Sequence, residues 1–514
     1  MLTHLDLIRD HLRNGRSGEA KLLALQFTQA NPGSADGWIQ LGRAYAQLSN
    51  FTMALSSVQK ALALVPSHPV ALLVSIEAML GCGQVAEALA VARGLERDRK
   101  NEPAVILQVG YCYTRTNRHA DATRCYERVL MLQPANLAVL HNLAGACVAL
   151  GDMSRAERLY DELLQKAPAA YEAYYNRATL RAQTPQSNHV AELERVLARL
   201  NPDTLAEAPV CYALAKELED LGEWRRSFAF LKRGADTRRK LAPYDIRVDL
   251  AAMDDIKRHF DRAVCVQSGA GGESPIFVLG MPRTGTTLVD RILSSHSQVG
   301  SVGETDEFLR TLVRHAHGEG DKLDLERANP LSWEDIGREF CGAVRGILPD
   351  RPRVLDKTLT NFLYIGPILL ALPDARIVHV QRNAMDSCYA VYKTLFRQGF
   401  GYSCDLSHLG RYYLGYKNLM KHWNEALAGR FMTVDYEDLV GRQEEVSRRI
   451  VAACGLDWED ACLSFERNAG PALTASAAQV RNPIYSTSVG LWRHYESELE
   501  PLARVLRQGR IECD

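Results

Sequence analysis

Arginine, glycine and threonine cluster between residues 280 and 287, where the sequence reads GMPRTGTT. The segment just before it, PIFVL, is short and rich in β-branched and aromatic residues, which is typical of a buried strand. A helical pattern begins near Thr287. Gly285 would allow a tight turn whose N–H groups face an anion, and the threonine hydroxyls and the helix N-terminus would add further donors and partial positive charge. The segment therefore predicts a phosphate-binding loop.

The basic residue of this loop is in an unusual place. Gly280 and Gly285 have the spacing of a nucleoside triphosphatase loop, but Thr286 stands where such loops have lysine. Arg283, inside the loop, is the basic residue instead. Because the lysine that reaches the β- and γ-phosphates is absent, the loop favours a ligand with a 5′-phosphate over magnesium triphosphate chemistry. The structural alternative is a tight strand-to-helix connection that binds nothing.

A second arginine, Arg382, closes a predicted strand in RIVHVQRNAMDSCYAVY. A guanidinium at a strand end can bind a phosphate through two parallel hydrogen bonds, and its alternative role is a surface salt bridge. With the loop, this segment resembles the sulfotransferase superfamily, more closely its bacterial tetratricopeptide-repeat members and the tyrosylprotein sulfotransferases. The resemblance covers essentially the whole chain after residue 270.

The resemblance implies a sulfuryl donor, 3′-phosphoadenosine-5′-phosphosulfate (PAPS), with adenosine 3′,5′-bisphosphate (PAP) as product and no metal requirement. It implies that Arg382 binds the 3′-phosphate. The family usually adds a serine eight positions after this arginine, but this chain has Ala390 there, and Ser387 is the candidate replacement. The residues expected to hold the 5′-phosphosulfate are Pro282, Arg283, Thr284, Gly285, Thr286 and Thr287.

Sulfuryl transfer needs a base for the acceptor hydroxyl and compensation for the charge that develops on the bridging and sulfuryl oxygens. The resemblance assigns the base to Glu304 in SVGETDEF, where Asp306 and Glu307 are alternatives. His296 is a rival base because histidine accepts protons near neutrality. Its structural alternative is to cap the preceding helix or to bond a backbone carbonyl.

Lys357 follows another predicted strand, in VLDKTLTNF. The resemblance places it near the bridging oxygen of the donor, where a compact ammonium would stabilise the leaving phosphate. Arg283 is expected to share this catalytic role. The structural alternative for Lys357 is a salt bridge to Asp356 or to another acid.

The segment 474–495 resembles the loop that closes over the donor in this family. Ser476 and Gln479 fit its Ser-x-x-Gln-Val pattern, and Ser476 is expected to donate to the sulfuryl group. The residues of this segment expected to bind the donor are Gln479, Arg481, Gly490 and Trp492.

The first half of the chain is repetitive. Two series recur with a period of 34 residues or twice that: Pro32, Pro66, Pro134, Pro168 and Pro202, and Ala20, Ala54, Ala88, Ala122 and Ala156. This period is that of the tetratricopeptide helix-turn-helix repeat, in which each unit buries its apolar face against its neighbours. The pattern predicts an elongated helical solenoid, with a degenerate last repeat around LGEWRRSFAFLKRG.

The second half has a different pattern. Strand candidates at 275–280, 353–356, 376–382 and 431–434 alternate with helical segments, which favours a parallel α/β sheet. The predicted fold class is an all-α tetratricopeptide solenoid followed by a P-loop-like α/β sulfotransferase domain. We expect the solenoid over 1–240, a linker over 241–270 and the sulfotransferase domain over 271–514.

The composition narrows the function classes. Among 514 residues, 61 basic and 62 acidic side chains give a formal charge of −1, which does not support a general nucleic-acid binder. The 12 cysteines show no CxxC spacing, so we expect free thiols rather than a metal site or disulfide framework. No segment predicts a signal peptide or membrane span, and the expected location is the cytoplasm.

The leading functional hypothesis is a PAPS-dependent sulfotransferase whose repeats bind a polypeptide acceptor or mediate self-association, for instance as a homodimer. A peptide tyrosine is the first acceptor considered, and carbohydrate, lipid or small-molecule hydroxyls are alternatives. A second hypothesis is a PAPS- or PAP-binding scaffold that has lost catalysis. A third is a nucleotide kinase or triphosphatase.

Overall fold

The structure is a computed structural model of the chain. It describes residues 3–261, 274–316, 331–348, 350–397, 399–468, 470, 479–484 and 488–513.

The N-terminal part consists of helices joined by short turns. The alanines that recur every 34 residues are all fully buried, which allows the paired helices to approach closely. Pro32, Pro66, Pro134 and Pro168 each follow a helix end by two residues, because proline cannot continue a helix. The helices are α1 His4–Arg13, α2 Ser17–Ala30, α3 Ala35–Gln47, α4 Phe51–Leu64, α5 Pro69–Gly81, α6 Val85–Asp98, α7 Pro103–Arg115, α8 His119–Leu132, α9 Leu137–Leu150, α10 Met153–Lys166, α11 Tyr171–Ala178, α12 Val190–Leu197, α13 Glu207–Asp220, α14 Trp224–Leu241 and α15 Ile246–His259.

Helices α13 and α14 form the helical pair expected around LGEWRRSFAFLKRG. Helix α15 lies within the range 241–270 that the sequence analysis interprets as a linker. Its first turn is capped by Asp245, whose side chain accepts a hydrogen bond from the Arg247 N–H. Met253 and Ile256 are buried on one face, so this segment packs as an amphipathic helix although it does not continue the repeat.

In the described part of the second half, five parallel strands form one sheet in the order β2-β3-β1-β4-β5. Four of them were predicted, and β2 was not, because its sequence VGSVG contains two glycines and a serine that resemble a loop. The strands are β1 Ile276–Leu279, β2 Val299–Gly303, β3 Arg353–Asp356, β4 Arg376–Gln381 and β5 Met432–Asp435.

Helices connect and cover these strands. Aliphatic side chains from the sheet, among them Val278, Val378 and Val434, share a core with Val289 and Ile450 from two covering helices. The helices are α16 Thr286–Ser294, α17 Glu307–His315, α18 Trp333–Ile347, α19 Ile365–Ala371, α20 Ala384–Tyr392, α21 Leu406–Ala426, α22 Tyr436–Gly441, α23 Gln443–Ala453 and α24 Glu500–Gln508. No helix among the described residues has both the length and the apolar character needed to cross a membrane.

The contacts divide the chain into two compact units. The first contains Met1–Ala146, Leu309–Ser332 and Arg338–Pro349, and the second contains Cys147–Phe308, Trp333–Gly337 and Asp350–Asp514. Within the first unit, Arg314 from α17 donates to the Gly81 carbonyl at the end of α5 (3.4 Å). Within the second, Glu219 from α13 accepts hydrogen bonds from the hydroxyls of Tyr389 and Tyr495.

Candidate active site

The predicted phosphate-binding loop connects β1 to α16. Gly280 has φ +152° and Gly285 has φ +101°, a left-handed conformation that favours glycine. A side chain at Gly280 would collide with the Val380 carbonyl, and one at Gly285 would collide with the Tyr436 ring. Both glycines are therefore required by the close approach of neighbouring strand ends.

Arg283 also has a left-handed backbone, with φ +68°, which is uncommon for a residue with a side chain. Pro282 is buried beside it. The Thr284 hydroxyl donates to the Met281 carbonyl (2.8 Å), so this hydroxyl closes the loop from within. Thr286 and Thr287 begin α16 and are buried, with their N–H groups at the positive end of the helix dipole. The loop thus has the backbone geometry of an anion site.

Arg382 lies directly against this loop. It follows β4, which is the neighbour of β1 in the sheet, so both strand ends lie at the same edge. Arg382 Nη1 donates to the Arg283 carbonyl (3.4 Å), and Nη2 donates to the Ser488 carbonyl. The guanidinium also pairs with Asp386 Oδ1 (3.6 Å) and lies 4.8 Å from the centre of the Tyr436 ring. The two arginines expected to bind the two phosphate ends are therefore in contact.

Helix α20 begins beside Arg382. Asn383 caps it by accepting hydrogen bonds from the N–H groups of Met385 and Asp386 (3.0 and 3.1 Å). Ser387 lies in the first turns, fully buried, and its Oγ has no hydrogen-bonding partner among the described residues. Ala390 is also buried. The serine that the sequence analysis offers as a replacement thus lies on the helix that follows Arg382, and its hydroxyl has no hydrogen bond among the described residues.

Part of the C-terminal segment lies over the start of α20. The Gly490 N–H donates to Asp386 Oδ2 (2.8 Å), and the Ser488 hydroxyl lies 3.2 Å from the Tyr436 hydroxyl. Trp492 is buried in the 3-10 helix Leu491–Tyr495. The structure therefore brings Gly490 next to Arg382 and its partners.

Of the other residues predicted in this segment, Arg481 lies away from the loop and Ser476 lies outside the described residues. Arg481, in the 3-10 helix Gln479–Arg481, donates to the carbonyls of Ala149 (2.8 Å) and Gly470 (3.4 Å). Arg291 donates to the same Gly470 carbonyl, so Arg481 lies beside the second half of α16 and not at the loop.

Glu304 and Lys357 form an ion pair. Each follows a strand, β2 and β3, which are adjacent and parallel, so both side chains start from the same sheet edge as the loop. Lys357 is 2% exposed, whereas the Glu304 side chain is 41% exposed. The candidate base thus faces solvent and the candidate cation lies beneath it.

Asp356 is occupied by other groups and does not pair with Lys357 in the described contacts. It accepts from the Thr358 N–H (2.8 Å), the Thr305 hydroxyl (3.0 Å) and the Asn361 amide (3.2 Å). Burial raises the pKa of Asp356 to about 6, and the hydrogen bonds from Thr358 and Thr305 act against that shift. This carboxyl shapes the turn that carries Lys357.

His296 has the structural role that the sequence analysis gave as the alternative. It is buried, its Nδ1 accepts from the Gln298 N–H (3.1 Å), and its Nε2 lies 2.8 Å from the Asp457 carbonyl. Both ring nitrogens are therefore bonded to the backbone beyond the end of α16.

Tyr436 is a site residue that the sequence analysis missed. It begins α22 directly after β5, packs against Gly285, lies under the Arg382 guanidinium and reaches Ser488. Its position in the sequence could have identified it, because Tyr436 follows a strand that ends at the same sheet edge as the strand before Arg382.

Both halves of the chain match known protein families. Residues 275–460 match the sulfotransferase family. Residues 5–69 and 114–184 match tetratricopeptide repeats.

The chain is also similar to individual proteins. An uncharacterized protein of Aquifex aeolicus (strain VF5) is 30% identical over 394 residues, covering 73% of this chain and 51% of that protein. The protein-tyrosine sulfotransferase of Drosophila melanogaster is 25% identical over 284 residues, covering 50% of this chain and 53% of that protein. The chain thus spans about half the length of these two relatives. A solved tetratricopeptide-repeat protein of Thermus thermophilus is 21% identical, with a TM-score of 0.31, covering 34% of this chain and 96% of its own.

Proposed function

Because the chain carries a sulfotransferase domain after tetratricopeptide repeats, we propose that it transfers a sulfuryl group from PAPS to an acceptor hydroxyl. The observation that carries the proposal is the contact between Arg382 and the Arg283 loop, at the same sheet edge as the ion pair of Glu304 and Lys357, which follow β2 and β3. One sheet edge then supplies two phosphate sites, a base and a cation.

The donor would be held at both phosphate ends. The N–H groups of the loop and α16 would bind the 5′-phosphosulfate, as helix N-termini bind phosphates in general. Arg382 would bind the 3′-phosphate, in place of the Ser488 carbonyl that it now contacts. The Gly490 turn and Trp492 would lie close to this end of the donor.

The reaction breaks the bond between sulfur and the bridging oxygen of the donor and forms a bond between sulfur and the acceptor oxygen. Glu304 would take the proton of the acceptor hydroxyl. PAP would leave with the electron pair of the broken bond, and Lys357 and Arg283 would stabilise its charge. The ion pair between Glu304 and Lys357 must open before the transfer, because Glu304 then acts on the acceptor proton and Lys357 on the leaving group.

The acceptor that fits best is a tyrosine hydroxyl in a polypeptide, since several relatives are protein-tyrosine sulfotransferases and the repeats could bind a peptide. A PAP-binding scaffold without turnover is the second candidate. Ala390 favours it, because the serine that the family uses at this position is missing.

A transfer assay separates the two candidates. The full chain is incubated with PAPS carrying labelled sulfate and with tyrosine peptides, carbohydrates and small phenols. We expect label in at least one acceptor class, and loss of that label in Arg283→Ala. Binding of PAP without transfer to any class would favour the scaffold, and absence of both binding and transfer would overturn the proposal.

A further inference from the structure

The turn that carries Glu304 has an uncommon backbone. Glu304 and Thr305 lie between two residues with positive φ, Gly303 at +74° and Asp306 at +52°. The register of β2 on β3 also shifts between Ser301 and Gly303, just before this turn. A left-handed conformation is uncommon for a residue with a side chain and persists only where surrounding contacts hold it. The turn therefore depends on contacts with its neighbours.

The Thr358 side chain supplies two of these contacts. Its Oγ1 accepts hydrogen bonds from the N–H groups of Thr305 (3.2 Å) and Asp306 (3.3 Å). A hydroxyl oxygen has two lone pairs, so these bonds use its full capacity as an acceptor. Thr358 is 2% exposed and directly follows Lys357. One buried hydroxyl therefore joins the turn of Glu304 to the turn of Lys357.

Two further hydrogen bonds connect the same turns. The Thr305 hydroxyl donates to Asp356 Oδ2 (3.0 Å), which belongs to a carboxyl that is 1% exposed. The Lys357 N–H donates to the Gly303 carbonyl (2.9 Å). These bonds involve neither the carboxylate of Glu304 nor the ammonium of Lys357. They can therefore persist when the ion pair between those two groups opens.

The position of the turn matters most at that moment. We infer that Thr358 is a positioning residue, whose hydroxyl holds the backbone of Glu304 while the carboxylate leaves Lys357 to take the acceptor proton. A base must lie within hydrogen-bonding distance of the proton that it takes, and a misplacement of about 1 Å can lower a rate about 100-fold. Thr358 would thus act on the reaction through Glu304. This inference rests on the proposed sulfuryl transfer.

A double-mutant cycle in the full chain tests the inference. Thr358→Val keeps the shape of the side chain but leaves two buried N–H groups without their acceptor. We expect kcat to fall about 10- to 100-fold, while the affinity for PAP, measured by calorimetry, stays within about threefold. Thr358→Ser, which restores the hydroxyl, should return kcat to within about threefold of wild type. In a Glu304→Gln background, Thr358→Val should change the rate by less than about threefold, because the two residues act together.

Two further variants complete the test. Thr237→Val, in α14, removes a hydroxyl that is buried to the same extent and bonded to Glu207 (2.7 Å), and it should leave kcat unchanged. If Thr358→Val does not fold, Thr305→Val takes its place, since it removes the bond to Asp356, and should lower kcat without loss of PAP affinity.

Three results would overturn the inference: full activity of the tested variant, a Thr358→Ser variant as impaired as Thr358→Val, or an equal loss in the wild-type and Glu304→Gln backgrounds. The last result would show a merely structural role. A wild-type chain without transfer would overturn the proposed function too, whereas an active wild type with a fully active Thr358→Val variant would overturn this inference alone.

Discussion

The side chains proposed for proton transfer and for leaving-group stabilisation are bonded to each other in this structure. Lys357 is buried and Glu304 is largely accessible, so an acceptor would meet the carboxylate first. In this pair Glu304 Oε1 is bonded to Lys357, so that oxygen is not free to accept the proton of an acceptor hydroxyl. Donor binding, which adds negative charge near Lys357, would draw the lysine away and leave Glu304 free to act.

Glu304→Gln should separate binding from chemistry. The amide keeps the shape of the side chain but accepts no proton, so we expect turnover to fall about 10²- to 10⁴-fold with PAP affinity nearly unchanged. Calorimetry and the transfer assay measure the two effects. Asp306→Asn, which removes an exposed acid two residues away, is the matched control and should retain activity. Full activity of Glu304→Gln would contradict the assignment of the base.

The raised pKa of Asp356, about 6, gives a pH prediction. The folded state holds this proton more tightly than the unfolded state, so it gains stability at low pH and loses it as the pH rises from about 4 to 6, by roughly 3 kcal/mol at most. Thermal unfolding of wild type and Asp356→Asn between pH 4 and 7 measures the effect. The Asp356→Asn variant should not show this loss of stability with rising pH. Parallel pH profiles of the two proteins would refute the raised pKa of Asp356.

The positions of some site residues could be predicted from the sequence and those of others could not. Arg283, Arg382, Glu304 and Lys357 all follow predicted or observed strand ends, so their common edge follows from a parallel sheet. The burial of His296 and the distance of Arg481 from the loop depend on contacts with Asp457 and Ala149, more than 160 positions away in the sequence. Such pairings leave no local pattern.

At the scale of elements, the sheet edge was predictable where strands were apolar. Strands β1, β3, β4 and β5 have continuous or alternating apolar residues, whereas β2 is stabilised by pairing with β3 despite its glycines. The loop between β1 and α16 was recognisable because its glycines are required by the backbone. Its contact with Tyr436 was not, since it depends on the position of β5.

Gly285→Ala tests that contact. The methyl group would strain a left-handed backbone and collide with the Tyr436 ring, which supports Arg382. Gly429→Ala is the matched control, because Gly429 also has a positive φ (+75°) but open space around it. We expect both to lose about 1 kcal/mol from backbone strain, and Gly285→Ala alone to lose PAP affinity as well. Equal affinity in the two variants, measured by calorimetry, would argue against a role for the loop.

At the scale of the whole molecule, the period of 34 residues predicted the helical half well, since it repeats a local pattern. The division into units was not predictable. Residues of α17 and α18 are grouped with the first repeats through contacts such as Arg314 with Gly81, which are 233 positions apart. Helix α15 was not predicted, because its sequence does not continue the repeat period. It packs instead on α21, where Gly415 lies against Leu250.

A buried cluster around Glu219 joins the last helical pair to α20 within one unit. Burial alone would raise the pKa of Glu219, but Lys393 and the hydroxyls of Tyr389 and Tyr495 outweigh it, so the pKa lies below its usual range. Glu219→Gln would leave Lys393 without its counterion (2.5 Å in the wild type). We expect a loss of about 1–3 kcal/mol in thermal unfolding above pH 5, shrinking as the pH falls below about 4. Glu223→Gln, at an exposed pair, should change stability by less than about 0.5 kcal/mol, and an equal effect of both would refute the cluster.

Calorimetric titration of the full chain with PAP tests the central claim most directly, because it needs no acceptor. The claim is that one sheet edge binds an adenosine nucleotide at its two phosphate ends, through the Arg283 loop and through Arg382. We predict that wild type binds PAP, that Arg382→Ala weakens PAP strongly, and that adenosine 5′-monophosphate, which lacks the 3′-phosphate, is bound equally by wild type and Arg382→Ala. Failure of the wild type to bind PAP, or undiminished PAP affinity in Arg382→Ala, would contradict the account.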